Sequence, residues 1–221
     1  MYISALFQNS ACMVCIKPAG VNAQSIGMPE RLEQQYGGAF FCVHRLDQAV
    51  GGVMVYARSR EAAAMLSKQI AGQKLEKEYL AVVEGCPQER TGLLRDLLYH
   101  DAVRNKSYVV KRKRKGVREA SLSYELLEAT ETEAGMLSLV RVCLHTGRSH
   151  QIRVQFASRG LPLVGDRRYG SRTDAAISLW SAALGFDEPE SGRHMCLEAP
   201  PPEQWPWSCF SRLKEQGGMR I

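Results

Sequence analysis

Leu144-His-Thr-Gly-Arg-Ser-His-Gln-Ile-Arg153 is where this sequence gives away its fold. Residues 137–144 just before it are rich in β-formers and read as a central strand. Thr146-Gly147 then turns the chain, and residues 149–158 follow as a helix that Gly160 stops. A helix start offers unpaired N–H groups and a positive dipole end, which suits phosphate. His150 and Arg153, three apart, share one face of that helix. Upstream, residues 3–7 and 12–16 read as short strands ending at the turn Lys17-Pro-Ala-Gly20. Pro29 opens a helix that Gly37-Gly38 close, and 40–43 and 53–57 are apolar strands. Ser59 is the expected N-cap of a helix through Ile70, ended by Gly72. Residues 77–84 read as a strand, and 107–113 with 117–127 as a long hairpin joined near Gly116. Past the opening stretch, 192–198 is a last strand and 210–215 a short helix, separated by Pro200-Pro-Pro202. Interleaved helices with many hairpins predict an α+β fold: a mixed, largely antiparallel sheet with flanking helices.

Composition narrows the function. The chain has 221 residues, 45% hydrophobic and 24% charged, which excludes collagen-like, coiled-coil and disordered classes. No apolar run reaches the roughly 18 residues of a membrane span. The first residues lack a basic segment and cleavage site, so secretion is not expected. Seven cysteines, including Cys12-Met-Val-Cys15, have no second pair to complete a zinc site, and buried thiols are expected. The net charge of +6 is concentrated: residues 101–172 hold 15 Lys+Arg and 7 Asp+Glu, the rest 14 and 16. Lys111-Arg-Lys-Arg-Lys115 is its densest part, placed at the tip of the expected hairpin. Such a run is either a nucleic-acid contact or a solvated loop, and charge alone leaves both open. No amphipathic helix or acylation site supports membrane attachment.

Two further segments carry chemistry. Val43-His-Arg-Leu-Asp47, followed by Gly51-Gly52, places a carboxylate on a loop at a strand end. Asp47 is there either a functional group, kept ionised by a neighbour such as Arg45, or a capping residue at a turn. Lys77-Glu-Tyr-Leu80 puts a tyrosine on a strand. His145 and His150 lack acidic or thiol companions at metal-ligand spacing, so hydrogen bonding is their expected role. The same lack of clustered carboxylates disfavours a metal-dependent nuclease.

Taken together, these segments resemble the RluA-type family of pseudouridine synthases over about residues 10–185. Lys17 to Gly20 matches its lysine-proline-alanine-glycine segment. His44-Arg-Leu-Asp47 matches H-R-L-D, and Lys77 to Leu80 matches K-x-Y-L. Thr146 to Arg153 matches T-G-R-[ST]-H-Q-[IL]-R, and Gly165 to Gly170 matches G-D-x-x-Y-G. The resemblance implies an isomerase that converts uridine in tRNA or ribosomal RNA to pseudouridine, with no metal and no organic cofactor. It implies that Asp47 is the catalytic aspartate, Tyr79 the tyrosine against the target base, and Arg153 the aspartate's partner. Arg45 would fill the gap left by the flipped nucleotide. His44, Thr146, Gly147, Arg148, His150 and Gln151 are expected on the substrate side, as are Lys111, Arg112, Lys113, Arg114 and Lys115. A single catalytic domain over 1–221 is expected, monomeric and cytoplasmic, with no S4-like RNA-binding module before it. A non-catalytic RNA-binding protein on the same fold is the competing reading, against which the trio Asp47, Tyr79 and Arg153 argues. Gln48-Ala-Val-Gly51 departs from the family's K-D-T-S-G, Gln155 from its histidine, and Trp180-Ser181 from a histidine before a small residue.

Overall fold

The structure, a computed structural model, describes residues 2–24 and 26–215. The chain divides into two compact units, one formed by residues up to Glu78 with Trp180–Ala199, the other by Tyr79–Leu179 with the residues from Pro200 on.

In chain order the first unit holds β1 (Ala5–Gln8), β2 (Cys12–Lys17), α1 (Met28–Tyr36), β3 (Phe41–Cys42), β4 (Gly51–Ala57) and α2 (Arg60–Ala71). The second holds most of β5 (Glu76–Glu84), then β6 (Thr91–Asp101), β7 (Lys106–Val110), β8 (Val117–Thr132), β9 (Gly135–Leu144) and α3 (Gln151–Ala157). The first unit takes up again with β10 (Leu179–Asp187) and β11 (His194–Glu198), and α4 (Ser211–Glu215) ends the second.

In the first unit the strands lie in the order β1-β2-β4-β10, with β3 on β4 and β11 on β10. All these pairs are antiparallel except β4 with β10, which run parallel. Every residue of β4 is buried, as expected of a strand covered on both faces. Its Val53 and Val55 pack with Cys12, Val14, Leu184, Phe186 and the α2 residues Ala62 and Leu66. α2 starts where expected: the Ser59 hydroxyl accepts from the Ala62 N–H at 3.1 Å. α1 has proline in its first turn and buries Met28 and Leu32.

The second unit orders its strands β5-β9-β8-β6-β7, with β9/β8, β8/β6 and β6/β7 antiparallel. Here the sequence reading needs correcting. Residues 107–113 do not pair with 117–127. β7 pairs with β6 from Leu97↔Val110 to Asp101↔Lys106, and β6 pairs on its other side with β8. The turn between β6 and β7 spans only 102–105, with the Arg104 N–H donating to the Asp101 carboxylate at 3.0 Å. β6 lies between the two expected partners and takes the hydrogen bonds of both, which leaves them no shared edge. The basic run 111–115 is therefore no hairpin tip. It is the crossover that spans β6 at the level of Leu97 to Tyr99, leaving β7 at Val110 and entering β8 at Val117.

Candidate active site

Asp47 lies in the loop between β3 and β4, half-buried, with Leu46 buried beside it and Arg45 exposed. The loop is held from the Lys17–Gly20 turn. The Gly20 N–H donates to the Gln48 carbonyl at 2.8 Å, and the Gln48 side chain returns a bond to the Gly20 carbonyl at 3.0 Å. Lys17 is wholly buried, its ammonium donating to the carbonyls of Pro18 (2.8 Å), Val21 (2.7 Å) and Gln48 (3.2 Å). Burial lowers its pKa to about 8, and the negative charge of Asp47 works in the opposite direction. At neutral pH Lys17 thus stays mostly a cation, tying the loop's backbone and supplying positive potential to Asp47. The sequence reading counted Lys17 in a motif and gave it no role. A lysine before Pro-Ala-Gly carries no local mark of burial.

His44, expected on the substrate side, is built into the loop's own fastening. Its Nε2 accepts from the Val55 N–H at 3.2 Å. Burial, with the Lys77 charge adding, pushes its pKa down to about 3, so the ring is neutral and fit to accept. Gly51 and Gly52 follow from the parallel pairing with Trp180 and Ser181. Gly52 has φ +125°, and a Cβ there would lie 2.3 Å from the Ser181 carbonyl oxygen.

In the second unit, Tyr79 sits on β5 and is 7% exposed. The Thr146–Arg153 segment folds as a knot on β8. The Thr146 hydroxyl accepts from the Ser121 N–H (2.9 Å) and bonds the Gln151 Oε1 (2.8 Å). That oxygen also accepts from the Arg148 N–H (3.0 Å), while the Gln151 amide donates to the Ser121 carbonyl (3.0 Å). Thr146 and buried Gln151, expected to touch substrate, use these groups to shape the loop. Gly147 is exposed at its turn, and Arg148 donates through Nε to the Glu119 carbonyl at 2.9 Å. His150 enters α3 with φ 55°, its Nδ1 2.9 Å from the Tyr169 hydroxyl.

Arg153 has a partner that the sequence reading did not name. Its Nε and one terminal nitrogen donate to the two carboxylate oxygens of Asp166, at 2.6 and 2.8 Å. Both side chains are buried, and the guanidinium lies 5.1 Å from the centre of the Tyr169 ring. The paired fork is the strong, direction-setting form of this interaction. Asp166 follows Gly165, whose φ of +80° and approach to the Ala176 carbonyl leave no room for a side chain. Glu84 holds the next turn through the hydroxyl of Thr173 at 2.9 Å. No local signal in the sequence marks the pairing, which joins positions thirteen apart. Lys111 to Lys115 are all exposed, apart from this buried group.

A family model described as RNA pseudouridylate synthase matches residues 11–158, which contain Asp47, Tyr79 and Arg153. The chain belongs to the RNA pseudouridylate synthase family. An uncharacterized RNA pseudouridine synthase of Aquifex aeolicus (strain VF5) is 36% identical over 78% of this chain and 56% of its own length. The ribosomal large subunit pseudouridine synthase C of Yersinia pestis is 32% identical over 88% of this chain and 64% of its own. The chain thus spans less than two thirds of the length of these relatives. The solved structure of human RNA pseudouridylate synthase domain containing 1 superposes with a TM-score of 0.80 over 92% of this chain and 85% of that one. At 22% identity that likeness speaks for the pseudouridylate synthase fold, the α+β class read from the sequence. Gln48 supplies both its backbone carbonyl and its side-chain amide to the bonds that hold the Asp47 loop.

Proposed function

We propose that this chain isomerises uridine to pseudouridine in RNA. The observation that carries the reading is Asp47: in a member of this family, a half-buried carboxylate stands on a loop locked from beneath by Lys17. The reaction breaks the N1–C1′ bond and forms a C5–C1′ bond. The C5 proton leaves and N1 takes one up, so mass is unchanged and no electrons are exchanged. A carboxylate at the sugar can act as nucleophile or base, and neither metal nor organic cofactor is required. By the family resemblance Tyr79 lies against the base, where its ring can stack and its hydroxyl relay a proton. Arg153 partners the aspartate, and exposed Arg45 fills the gap when the base leaves its stack. Arg148 and cations within the basic run Lys111 to Lys115 hold the RNA backbone. We infer a structured RNA substrate, ribosomal before transfer RNA because several relatives are named for the large ribosomal subunit. One catalytic domain acting as a monomer in the cytoplasm completes the reading.

The test is chemical mapping of pseudouridine in total RNA from cells with and without this gene. Loss of one or a few sites on deletion, restored by the wild-type gene, supports the reading and names the RNA. An identical map contradicts it. Shortened RNA on adding the protein would make it a nuclease, and binding without either change an RNA-binding factor.

A further inference from the structure

The crossover that carries the basic run borders a cleft of about 520 Å³. Lys113, Arg114, Arg118 and Arg148 line it, above two aliphatic side chains. Two of these cations belong to the run, one to the start of β8, and one to the loop that leads into α3. Two are held in place. Arg114 lies 5.0 Å from the centre of the Tyr99 ring, and Arg148 is fixed through its Nε to the Glu119 carbonyl. Fixed heads lose less freedom when an anion arrives. The cleft already contains one anion, the Glu119 carboxylate, ion-paired with Lys113. Lys111, Arg112 and Lys115 do not line it.

We propose that this cleft grips the phosphates of an RNA strand, with a phosphate taking the place of Glu119 on Lys113 and lying against Arg114, Arg118 and Arg148. The proposal rests on the RNA-modifying reading above and divides the basic run: position in the cleft, rather than charge density, decides which cations hold RNA. Three of the four are arginines, whose planar forks match phosphate oxygens in pairs. That favours a phosphodiester over the diffuse charge of a membrane surface.

The test is binding of the full-length protein to a short fluorescein-labelled single-stranded oligouridylate, across a salt series and without need of turnover. Each phosphate contact contributes a slope of about −0.7 in log K against log salt for single strands. R118Q/R148Q, both outside the run, should flatten the slope by about 1.4 units. K111Q/R112Q/K115Q, three of its five cations, should change it less. E119Q removes the competing anion and should tighten binding several-fold. Because Arg148 also bonds the Glu119 carbonyl, R118Q alone serves as the variant least able to disturb folding, with an expected change of about 0.7. A triple variant that flattens the slope more than the double overturns the proposal, as does E119Q binding no tighter than wild type. Binding to phosphatidylserine vesicles with none to RNA would assign the cleft to a membrane and overturn it as well. Cleft-dependent binding without isomerisation would remove the proposed activity and leave the cleft. Isomerisation with binding indifferent to these variants would do the reverse.

Discussion

Arg153 shows how far a motif carries at the scale of one residue. Its place on a helix was legible, because a strand, a Thr-Gly turn and a helical spacing surround it. The bidentate bond to Asp166 was not, because it joins positions thirteen apart that only the chain's return past Gly165 brings together. An ammonium in place of the guanidinium keeps the charge and loses the fork. Arg153→Lys is therefore expected to lower kcat at least about tenfold, equivalent to ~1.4 kcal/mol of barrier, while the protein stays folded by circular dichroism. Turnover near that of wild type would show that the paired geometry is dispensable. Lys17 makes the complementary case. Its motif was recognised, yet nothing local showed that three carbonyls would converge on a wholly buried ammonium. Lys17→Met keeps the bulk and removes all three donors. It should cost about 2–3 kcal/mol in urea unfolding, since buried acceptors left without partners each carry a desolvation penalty. A loss below about 0.5 kcal/mol would show that the loop holding Asp47 does not depend on it.

Elements that announce themselves by punctuation were read correctly, and elements without it were missed. α2 has Ser59 before it and Gly72 after it, and β4 is an unbroken apolar run; both stand where expected. β6, Thr-Gly-Leu-Leu-Arg-Asp-Leu-Leu-Tyr-His-Asp, places charges on a strand whose alternation is broken by paired leucines, so its period is hidden. With the period of β6 hidden, β7 and β8 on either side of it read as partners of each other. β10 was missed for a related reason: its small residues, Ser181 to Ala183 and Gly185, weaken the β signature, and its parallel partner β4 lies far away in sequence. That parallel pair makes Gly52 a demanding position. Gly52→Ala forces a side chain into a left-handed backbone and against the Ser181 carbonyl. The conformation alone is worth about 1–3 kcal/mol, and the clash adds to it. A thermal melt should therefore shift down by several degrees at least, and an unchanged melting temperature would mean that β10 can move away from β4. Ser59→Ala, which removes only a cap, should cost about 1 kcal/mol by the same measurement.

Across the whole molecule, charge was the property most legible in the sequence, and its spatial use the least. The excess of cations in residues 101–172 was plain, but the cleft depends on Arg118 and Arg148, which stand outside the dense run. Acid stability follows from groups whose burial and bonds the sequence does not show. His44 titrates near 3 in the fold against an ordinary 6.5, so between those values the unfolded chain binds a proton that the fold excludes. Stability owed to it is flat above about pH 6.5 and falls as pH drops toward 3. Burial raises the Glu188 carboxyl, but bonds from Ser191, Asn9 and two backbone N–H groups outweigh that and bring it to about 2, against 4.5. Its contribution is full above about 4.5 and is lost as pH falls through 2. Urea unfolding at a series of pH values should show a decline beginning near pH 6.5 and steepening below 4.5. Glu188→Gln should remove the steeper part alone, and an unchanged acid limb would exclude Glu188 as its source. The central claim, that this chain isomerises uridine through Asp47, is tested most directly by tritium release from RNA labelled at uridine C5. Wild type should release tritium without added metal or cofactor, and Asp47→Asn, which still binds RNA, should release it orders of magnitude more slowly. Release by the asparagine variant above about a tenth of the wild-type rate, or none from wild-type protein on RNA taken from cells lacking the gene, would contradict the account.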